Sequence, residues 1–303
     1  MMNSRKSVGL ILTLFAVASL ASAADDYVIL LTRPEKVGDR YRIDTKGRSR
    51  QQQHVTLNGK AAGSEDKQIN VQLVALATVL AVDEKQEASR VEYRVESCRQ
   101  SSSGKTEEVV PPGTKVLAES SNGETAFTVA GRPLPPDVEE ALKLLISVHS
   151  PDSPTDDEVF GTRERKRVGE KWGIRAASAA QSLSRSGLRV SAQDLKGTVA
   201  LDGLRTLDSV KALEISAHIR ADKVGIDAPH GMRIEKGLLE ADLSGFVPVD
   251  TKSRERLSDK MQMRMTVRVG GEKPETGEKV TLEVSMELSL ENNYSPAPES
   301  VEF

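Results

Sequence analysis

The four histidines are the side chains whose chemistry would be easiest to recognise, either as metal ligands or as general bases. They are His54, His149, His218 and His230. Their spacing contains no H-x-x-H or H-E-x-x-H pattern and no His–Cys pair, so a zinc site has no support. His218 lies on the polar side of an alternating segment and should face solvent, whereas His149 follows a helical pattern and should interact with that helix end. We expect no catalytic histidine, no metal and no cofactor.

Four clustered acidic residues raise the alternative of calcium binding: Asp152, Asp156, Asp157 and Glu158. Calcium loops of the D-x-[D/N]-x-[D/N]-G type end in a distant glutamate, and this segment lacks that spacing. Acidic residues that follow Ser-Pro fit the first turn of a short helix better. A hydrolase with a pair of carboxylates stays open, because such pairs meet only in three dimensions.

Composition excludes several other classes of protein. The chain has no G-x-S-x-G elbow, phosphate-binding loop or dinucleotide fingerprint. Its formal net charge is −3 and only 3% of its residues are aromatic, which disfavours binding of nucleic acid and stacking against sugars. Cys98 is the only cysteine, so no intramolecular disulfide can form, and we expect its thiol to be partly buried in a strand.

Four methionines form the candidate apolar ligand surface. Met261, Met263 and Met265 alternate with polar residues in M-Q-M-R-M-T-V-R-V, and Met286 lies in a second alternating segment at 280–291. Period-two alternation predicts strands with one apolar face, and the intervening G-G-E-K-P-E-T-G-E predicts a turn. The two segments should form an antiparallel hairpin with Arg opposite Glu on its outer face, and methionine would give the inner face an adaptable surface.

The elements that would position these residues are mostly further strands. Alternation recurs at 40–50, 90–96, 197–207, 213–220 and 233–247, whereas 71–82 is apolar on both faces and needs a cover. A helix with Asp137 as its N-cap is predicted over about 137–146, and its apolar stripe should cover 71–82. A second helix is predicted from Ala176 to about Arg185, ended near Gly187.

The N-terminus has the pattern of a cleaved secretory signal. Arg5 and Lys6 precede an apolar stretch that ends in Ala21-Ser22-Ala23, so cleavage is expected after Ala23. The apolar stretch is short for a membrane anchor, and no later segment is long and apolar enough to span a bilayer. We expect a secreted or periplasmic protein with no transmembrane segment in the mature chain.

Two octapeptides read almost alike: K-V-G-D-R-Y-R-I at 36–43 and R-V-G-E-K-W-G-I at 167–174. In each, a turn at Val-Gly leads into a strand, and Tyr41 or Trp172 is expected to anchor that strand in the core. The tripeptide V-A-L follows both, at 74–76 and 199–201. Two alternatives remain: the chain contains two duplicated halves, or it contains two similar turns.

These openers resemble a class of uncharacterised secreted bacterial β-rich proteins with repeated G-[D/E]-x-[Y/W] strand openers, over roughly residues 36–291. More distantly, the long amphipathic strands with a covering helix resemble the curved sheets of lipoprotein carriers of the LolA/LppX type. The first resemblance implies no assigned activity, and the second transfers no functional residue. The chain also lacks the lipid-attachment cysteine of lipidated members.

We therefore predict a β-rich α+β fold, with long antiparallel strands in one or two curved sheets and one or two covering helices. The predicted organisation is a signal peptide at 1–23, a β unit with a closing helix at 24–150, a connector at 151–166 and a second β unit at 167–303, packed as one body. The function expected is non-enzymatic binding of an apolar ligand or an envelope protein on the curved sheet. The alternatives are a structural scaffold of the envelope and the hydrolase named above; the oligomeric state stays open.

Overall fold

A computed structural model describes residues 25–102, 104–121, 123–226, 232–272 and 276–298. The signal peptide predicted at 1–23 and His230 lie outside the described residues. Within them the chain is mostly β, with thirteen strands and three short α-helices. The strands are β1 Arg40–Leu57, β2 Lys60–Val82, β3 Ala88–Ser102, β4 Lys105–Val110, β5 Lys115–Ser121, β6 Glu124–Val129, β7 Arg132–Pro133, β8 Lys171–Gly173, β9 Leu195–Leu207, β10 Val210–Asp222, β11 Met232–Pro248, β12 Asp259–Glu272 and β13 Lys279–Pro296.

These described strands form a single antiparallel sheet, in the order β7-β6-β5-β3-β2-β1-β13-β12-β11-β10-β9-β8, with β4 paired to β3. The centre of the sheet is the pairing of β1 with β13, which runs from Tyr41 opposite Pro296 to Leu57 opposite Val280. The first and last long strands therefore join the two ends of the chain. Of the two alternatives left by the sequence, one sheet or two, the structure has one.

The inner face of the sheet is apolar because the alternating positions fall on it in register. The predicted hairpin is β12 and β13, which place Met265 opposite Met286 on the inner face and Arg264 opposite Glu287 on the outer face. One end of the sheet has a single core cluster, in which Leu73, Val79, Val91 and Leu142 are 1% exposed or less. The other end has two adjoining clusters, one with Leu239 and Val267 and one with Leu201 and Leu213, all 1% exposed or less.

Three helices cover this inner face. They are α1 Pro136–Lys143, α2 Asp156–Phe160 and α3 Ala176–Arg185. The helix α1 packs in the same core as the face of β2 that carries Leu73 and Val79, and α3 has the bounds predicted for it. The cover expected for the second face of 71–82 is wrong, because Leu80 on that face is 39% exposed. None of the described helices is long and apolar enough to cross a membrane.

The prediction that Asp137 caps α1 is wrong. The helix begins at Pro136 with Pro135 as its N-cap, and no side chain accepts a hydrogen bond there. Proline suits the first helical position because it has no N–H to leave unpaired, and Asp137 then lies in the first turn, where the positive end of the helix favours a carboxylate. The acidic residues at 156–158 do form the first turn of a short helix, α2, which Thr155 and Glu158 cap reciprocally.

The two octapeptides form the same turn. Gly38 and Gly169 have φ of +93° and +89°, and each donates its N–H to a strand carbonyl, Val79 for the first and Leu201 for the second. This turn conformation favours glycine because a side chain strains it. The registers place Tyr41 opposite Ala77 and Trp172 opposite Val199.

The V-A-L tripeptides, in contrast, do not occupy equivalent places. Val74 lies opposite Asp44 on β1, four residues into that strand, whereas Val199 lies opposite Trp172 near the start of β8. The two matching tripeptides are therefore no support for a duplication. The matching turns remain, and the duplication stays a prediction.

Candidate functional site

A cavity of about 380 Å³ lies between the inner face of the sheet and the segments that cross it. One wall is apolar and comes from strands β9 to β13, which contribute Val199, Ile215, Leu243, Met261 and Leu290. The opposite wall consists of the N-terminal segment at 31–33, the helix α2 and the loop at 255–257. The cavity exists because these crossing segments connect the two ends of the sheet without filling its central hollow.

This cavity is the first of two chambers. The second chamber, of about 440 Å³, adjoins it and is lined by residues of β1, of β3 and of the segment after α1. Both chambers are lined by five residues at their junction: Glu87, Asp156, Arg256, Leu290 and Tyr294. The junction is therefore where the apolar wall meets charged side chains.

Arg256 occupies the centre of this junction. Its guanidinium forms an ion pair with Glu35 and lies 4.8 Å from the ring centre of Tyr41 and 5.6 Å from that of Tyr294. The other carboxylate oxygen of Glu35, which is 7% exposed, accepts a hydrogen bond from the backbone N–H of Ala88 at 2.7 Å. Arginine is thus held by an anion and two aromatic faces, an arrangement that stabilises a partly desolvated cation.

Three further carboxyl groups line the cavity and have raised pKa values; we call Glu87, Asp156 and Asp259 the acidic cluster. Burial, followed by repulsion from Glu35 and Asp156, raises the pKa of Glu87 to about 7. Burial, with a contribution from Asp156, raises the pKa of Asp259 to about 6 even though Asn292 donates a hydrogen bond to it. The cluster therefore changes its charge between weakly acidic and neutral solution.

Asp156 also has a raised pKa, first because the surrounding protein displaces much of its water and second because Asp157 lies beside it. Its side chain is nevertheless exposed, since it faces the open cavity rather than packed core. The carboxyl group is consequently both accessible to a ligand and poorly stabilised in its charged form.

Two polar side chains near the cluster, one buried and one partly buried, have a buried atom without a hydrogen-bond partner among the described residues. Asn292 is 8% exposed, donates Nδ2–H to Asp259 at 2.8 Å and leaves its Oδ1 without a partner. His149 contacts Asp83 through Nδ1 at 2.5 Å and leaves Nε2 without a partner. Both residues line the second chamber. An unpartnered polar atom beside a cavity is a place where a ligand gains a hydrogen bond.

The predicted site residues are only partly brought together. Met261 lines the first chamber, Met265 is buried in the core, and Met263 and Met286 are partly buried further along the same face. Tyr41 lies beside Arg256, and Trp172 is partly exposed and donates its Nε1–H to the carbonyl of Phe160 at 2.7 Å. Cys98 is fully buried, and burial raises the pKa of its thiol to about 11, so it is unreactive.

The expectation for His149 is wrong, because its ring contacts Asp83 rather than the end of α1. His218 is exposed on the outer face as predicted and contacts Asp242 at 2.8 Å. Among the described residues, no three His, Cys, Asp or Glu side chains are grouped so as to hold a metal ion.

No local pattern in the amino-acid sequence indicates that Arg256, Glu87 or Asp259 belongs to a site. Arg256 lies in a polar loop, Glu87 in a tight turn and Asp259 at the start of a strand, where charged residues are ordinary. The only available signal was the need to cover the apolar faces, which implied crossing segments but not their side chains.

No protein family and no curated protein matches this chain in sequence. Among solved structures, this chain is similar to lipovitellin, from a structure of lipid–protein interactions in lipovitellin. The match has 9% identity and a TM-score of 0.34 over 88% of this chain. This chain spans 26% of the lipovitellin chain. The outer membrane protein OprG from Pseudomonas aeruginosa matches 87% of this chain and 99% of its own, with 5% identity and a TM-score of 0.18. The outer membrane protease OmpT from Escherichia coli matches 85% and 97%, with 8% identity and a TM-score of 0.18. Similarities this weak establish neither a shared fold nor a shared function.

Proposed function

We propose that this protein is a non-enzymatic binding protein that holds a small apolar ligand in the cavity above its sheet. The observation that carries the proposal is the cavity of about 380 Å³ whose sheet wall is formed by Leu243, Met261 and Leu290. Its volume falls within the range of about 300–1,000 Å³ typical of ligand pockets.

The partial exposure of this wall supports the same function. Leu243, Met261 and Leu290 are partly exposed, although they lie on the inner face between two cores whose side chains are almost fully buried. An apolar ligand against this wall would remove its surface from water, which stabilises the complex by about 25 cal/mol per Å² of apolar area before the costs of association.

Filling the cavity from the sheet side tests the proposal. Met261→Trp puts a larger side chain on the cavity wall, whereas Gln262→Trp puts the same side chain on the outer face of the same strand. We expect Met261→Trp to weaken binding of the neutral fluorescent probe N-phenylnaphthylamine by about tenfold or more and Gln262→Trp to leave it within about twofold. A native protein that binds no probe, or two variants that bind it equally well, would contradict the proposal.

A hydrolase with a carboxylate pair is the second candidate, and the acidic cluster is the observation that favours it. A carboxyl group with a pKa of about 7, as for Glu87, suits a general acid when a neighbouring carboxylate is ionised. Turnover of a panel of chromogenic glycosides that disappears in Glu87→Gln would support this candidate over simple binding. A structural scaffold stays a prediction that crosslinking in intact cells would test.

We further propose that the protein acts outside the cytoplasm, in a periplasm or as a secreted protein. The support is the signal pattern at residues 1–23 alone. N-terminal sequencing of the protein recovered from separated cell fractions and medium should find Ala24 as the first residue. A cytoplasmic protein that retains residues 1–23 would contradict this placement.

A further inference from the structure

We propose that the acidic cluster binds the positively charged head of an amphiphile, an ammonium group whose apolar tail lies along the wall formed by Leu243, Met261 and Leu290. This inference rests on the proposed function, because it names the class of ligand that the same cavity takes. Three features of the cavity favour such a ligand: the charges around it, the hydrogen-bond character of its unpartnered atoms and the position of both beside the apolar wall.

Two of the three cations that line the first chamber are paired with carboxylates, and the third, Arg33, donates only to neutral carbonyls. Arg256 is paired with Glu35, Lys260 is 3.2 Å from Glu291, and Arg33 donates to the backbone carbonyls of Pro248 and Asp250 at 2.6 and 3.2 Å. The three carboxyl groups of the acidic cluster, in contrast, form no ion pair within the described part of the chain. Three unpaired carboxylates against the one unpaired cation, Arg33, leave the first chamber with an excess of negative charge that a cationic ligand would neutralise.

The unpartnered atoms of the second chamber are acceptors. Asn292 uses its amide N–H on Asp259, which leaves the carbonyl oxygen Oδ1 free, and this side chain is more than nine-tenths buried. His149 has an acceptor at Nε2 when its ring is neutral and Nδ1–H is donated to Asp83, and a donor there when the ring is protonated. The carboxyl groups of Glu87 and Asp156 accept no hydrogen bond from the described residues. An ammonium group has three donors and no acceptor, so it complements this set.

Other ligand heads fit less well. An anionic head would meet three carboxylates, and Arg256, the nearest cation, is already neutralised by Glu35. The unpartnered donor on the cavity wall, Nε of Arg33, belongs to a guanidinium whose other nitrogens are held by two carbonyls. A hydroxyl head could use the acceptors but would not neutralise the excess charge.

Binding of a cation should depend on pH. The titratable and charged groups around the acidic cluster come from both chambers and from the segments packed against them: Arg33, Glu35, Asp83, His149, Asp157, Glu255, Arg256, Lys260 and the phenols of Tyr41, Tyr93 and Tyr294. Between about pH 5 and pH 8, Glu87 and Asp259 ionise, since their pKa values are about 7 and about 6. The affinity for a cationic ligand should therefore rise over this interval, and that for an uncharged ligand should not.

Three probes of equal chain length test the inference on the full protein: dodecylamine, dodecanol and dodecanoate, titrated calorimetrically below their aggregation limits. At about pH 8 we expect dodecylamine to bind about tenfold or more tightly than dodecanol, and dodecanoate to bind most weakly. At about pH 5 the preference for the amine over the alcohol should shrink several-fold.

Charge-neutral variants provide the second readout. Glu87→Gln and Asp259→Asn should each reduce the preference for dodecylamine over dodecanol by several-fold while the affinity for dodecanol stays nearly constant. Glu84→Gln is the matched control, because Glu84 is exposed in the same turn as Glu87 and does not line either chamber.

The outcomes separate the two proposals. If dodecanol or dodecanoate binds as well as dodecylamine at about pH 8, the proposal of a cationic head group is wrong, whereas the proposal of an apolar ligand in the cavity is not contradicted. The same conclusion follows if Glu84→Gln and Glu87→Gln change the preference equally. If none of the three probes binds, the proposed function fails and the inference fails with it.

Discussion

At the scale of single residues, Glu87 shows most clearly that the site lowers the stability of the folded protein. It lies in the turn between β2 and β3, faces the cavity and accepts no hydrogen bond from the described residues. Burial and the nearby Glu35 and Asp156 disfavour its charged form, so its pKa rises to about 7 from 4.5. A surface glutamate at this turn would avoid that cost, which argues that the residue has a role other than stability.

Glu87→Gln should stabilise the protein in neutral solution. A raised pKa means that the folded state holds a proton that the unfolded state has lost, so stability falls as pH rises from about 4.5 to about 7. Removing the charge should raise the free energy of unfolding by about 1–3 kcal/mol near pH 8 and change it little near pH 4.

Urea unfolding at both pH values measures this difference. Glu84→Gln, the exposed neighbour, should change stability by less than about 0.5 kcal/mol at either pH. Equal stabilisation by Glu87→Gln near pH 4 and near pH 8 would show that the charge of Glu87 is not the cause.

At the scale of elements, the residues just after α1 pack closely on the sheet at Gly47 in β1. A β-carbon added there would lie 2.7 Å from Cδ2 of Leu145 and 2.9 Å from Cγ of Leu144, just after α1. The leucines pack directly on the strand backbone because this position has no side chain. Glycine here serves the helix–sheet contact, and the helix end in turn borders the second chamber through Leu145.

Gly47→Val should therefore displace the end of α1 and lower the free energy of unfolding by about 1–3 kcal/mol. The matched control is Gly63→Val in β2, where an added β-carbon meets nothing within 4 Å. Valine favours strands, so the control should be neutral or slightly stabilising. Urea unfolding measures the stability of both variants. A similar loss of stability at Gly47 and at Gly63 would contradict a specific contact with Leu144 and Leu145.

At the scale of the whole molecule, the two ends of the chain are joined along the centre of one sheet. The strand β1 pairs with β13 over its full length, and Arg254 and Arg256 from the loop before β12 bind Asp39 and Glu35 before β1. Lys85 binds Glu158 of α2, which also connects the two ends of the sheet. These connections bring together the segments that line the cavity.

We therefore expect the two units to unfold together. The only tryptophan, Trp172, reports on the β8–β9 end, and the buried thiol of Cys98 reports on the β2–β3 end. Fluorescence of Trp172 and labelling of Cys98 should give one urea midpoint within error. Two separated midpoints would mean that each unit is stable alone, and the central pairing would then be a weaker interface than its length implies.

Much of the fold could be predicted because its signals are local. Alternation identified β12, β13 and β9 to β11, and the helix α3 was bounded by its pattern and by Gly187. The cap of α1 was mispredicted because Pro136 suits the first helical position, so the helix begins one residue before Asp137 and without a side-chain cap. The V-A-L tripeptides misled because a match in letters says nothing about the register of the strand opposite.

The site could be predicted only in part. Met261 follows from the alternation of β12, since every second side chain of that strand must face the same way. Glu87, Asp156 and Asp259 come from a turn, a short helix and a strand start, and no local rule relates them. Their proximity depends on the order of strands in the sheet and on which loops cross it.

The amino-acid sequence by itself determined the strands, their apolar faces and the need for a cover, because periodicity and side-chain hydrophobicity act between near neighbours. Only the tertiary structure decided that one sheet forms, that β1 pairs with β13 and that a hollow remains beneath the crossing segments. The physical reason is that pairing across more than 200 residues depends on the competition between whole surfaces. The electrostatic character of the cavity appears only once those surfaces have met.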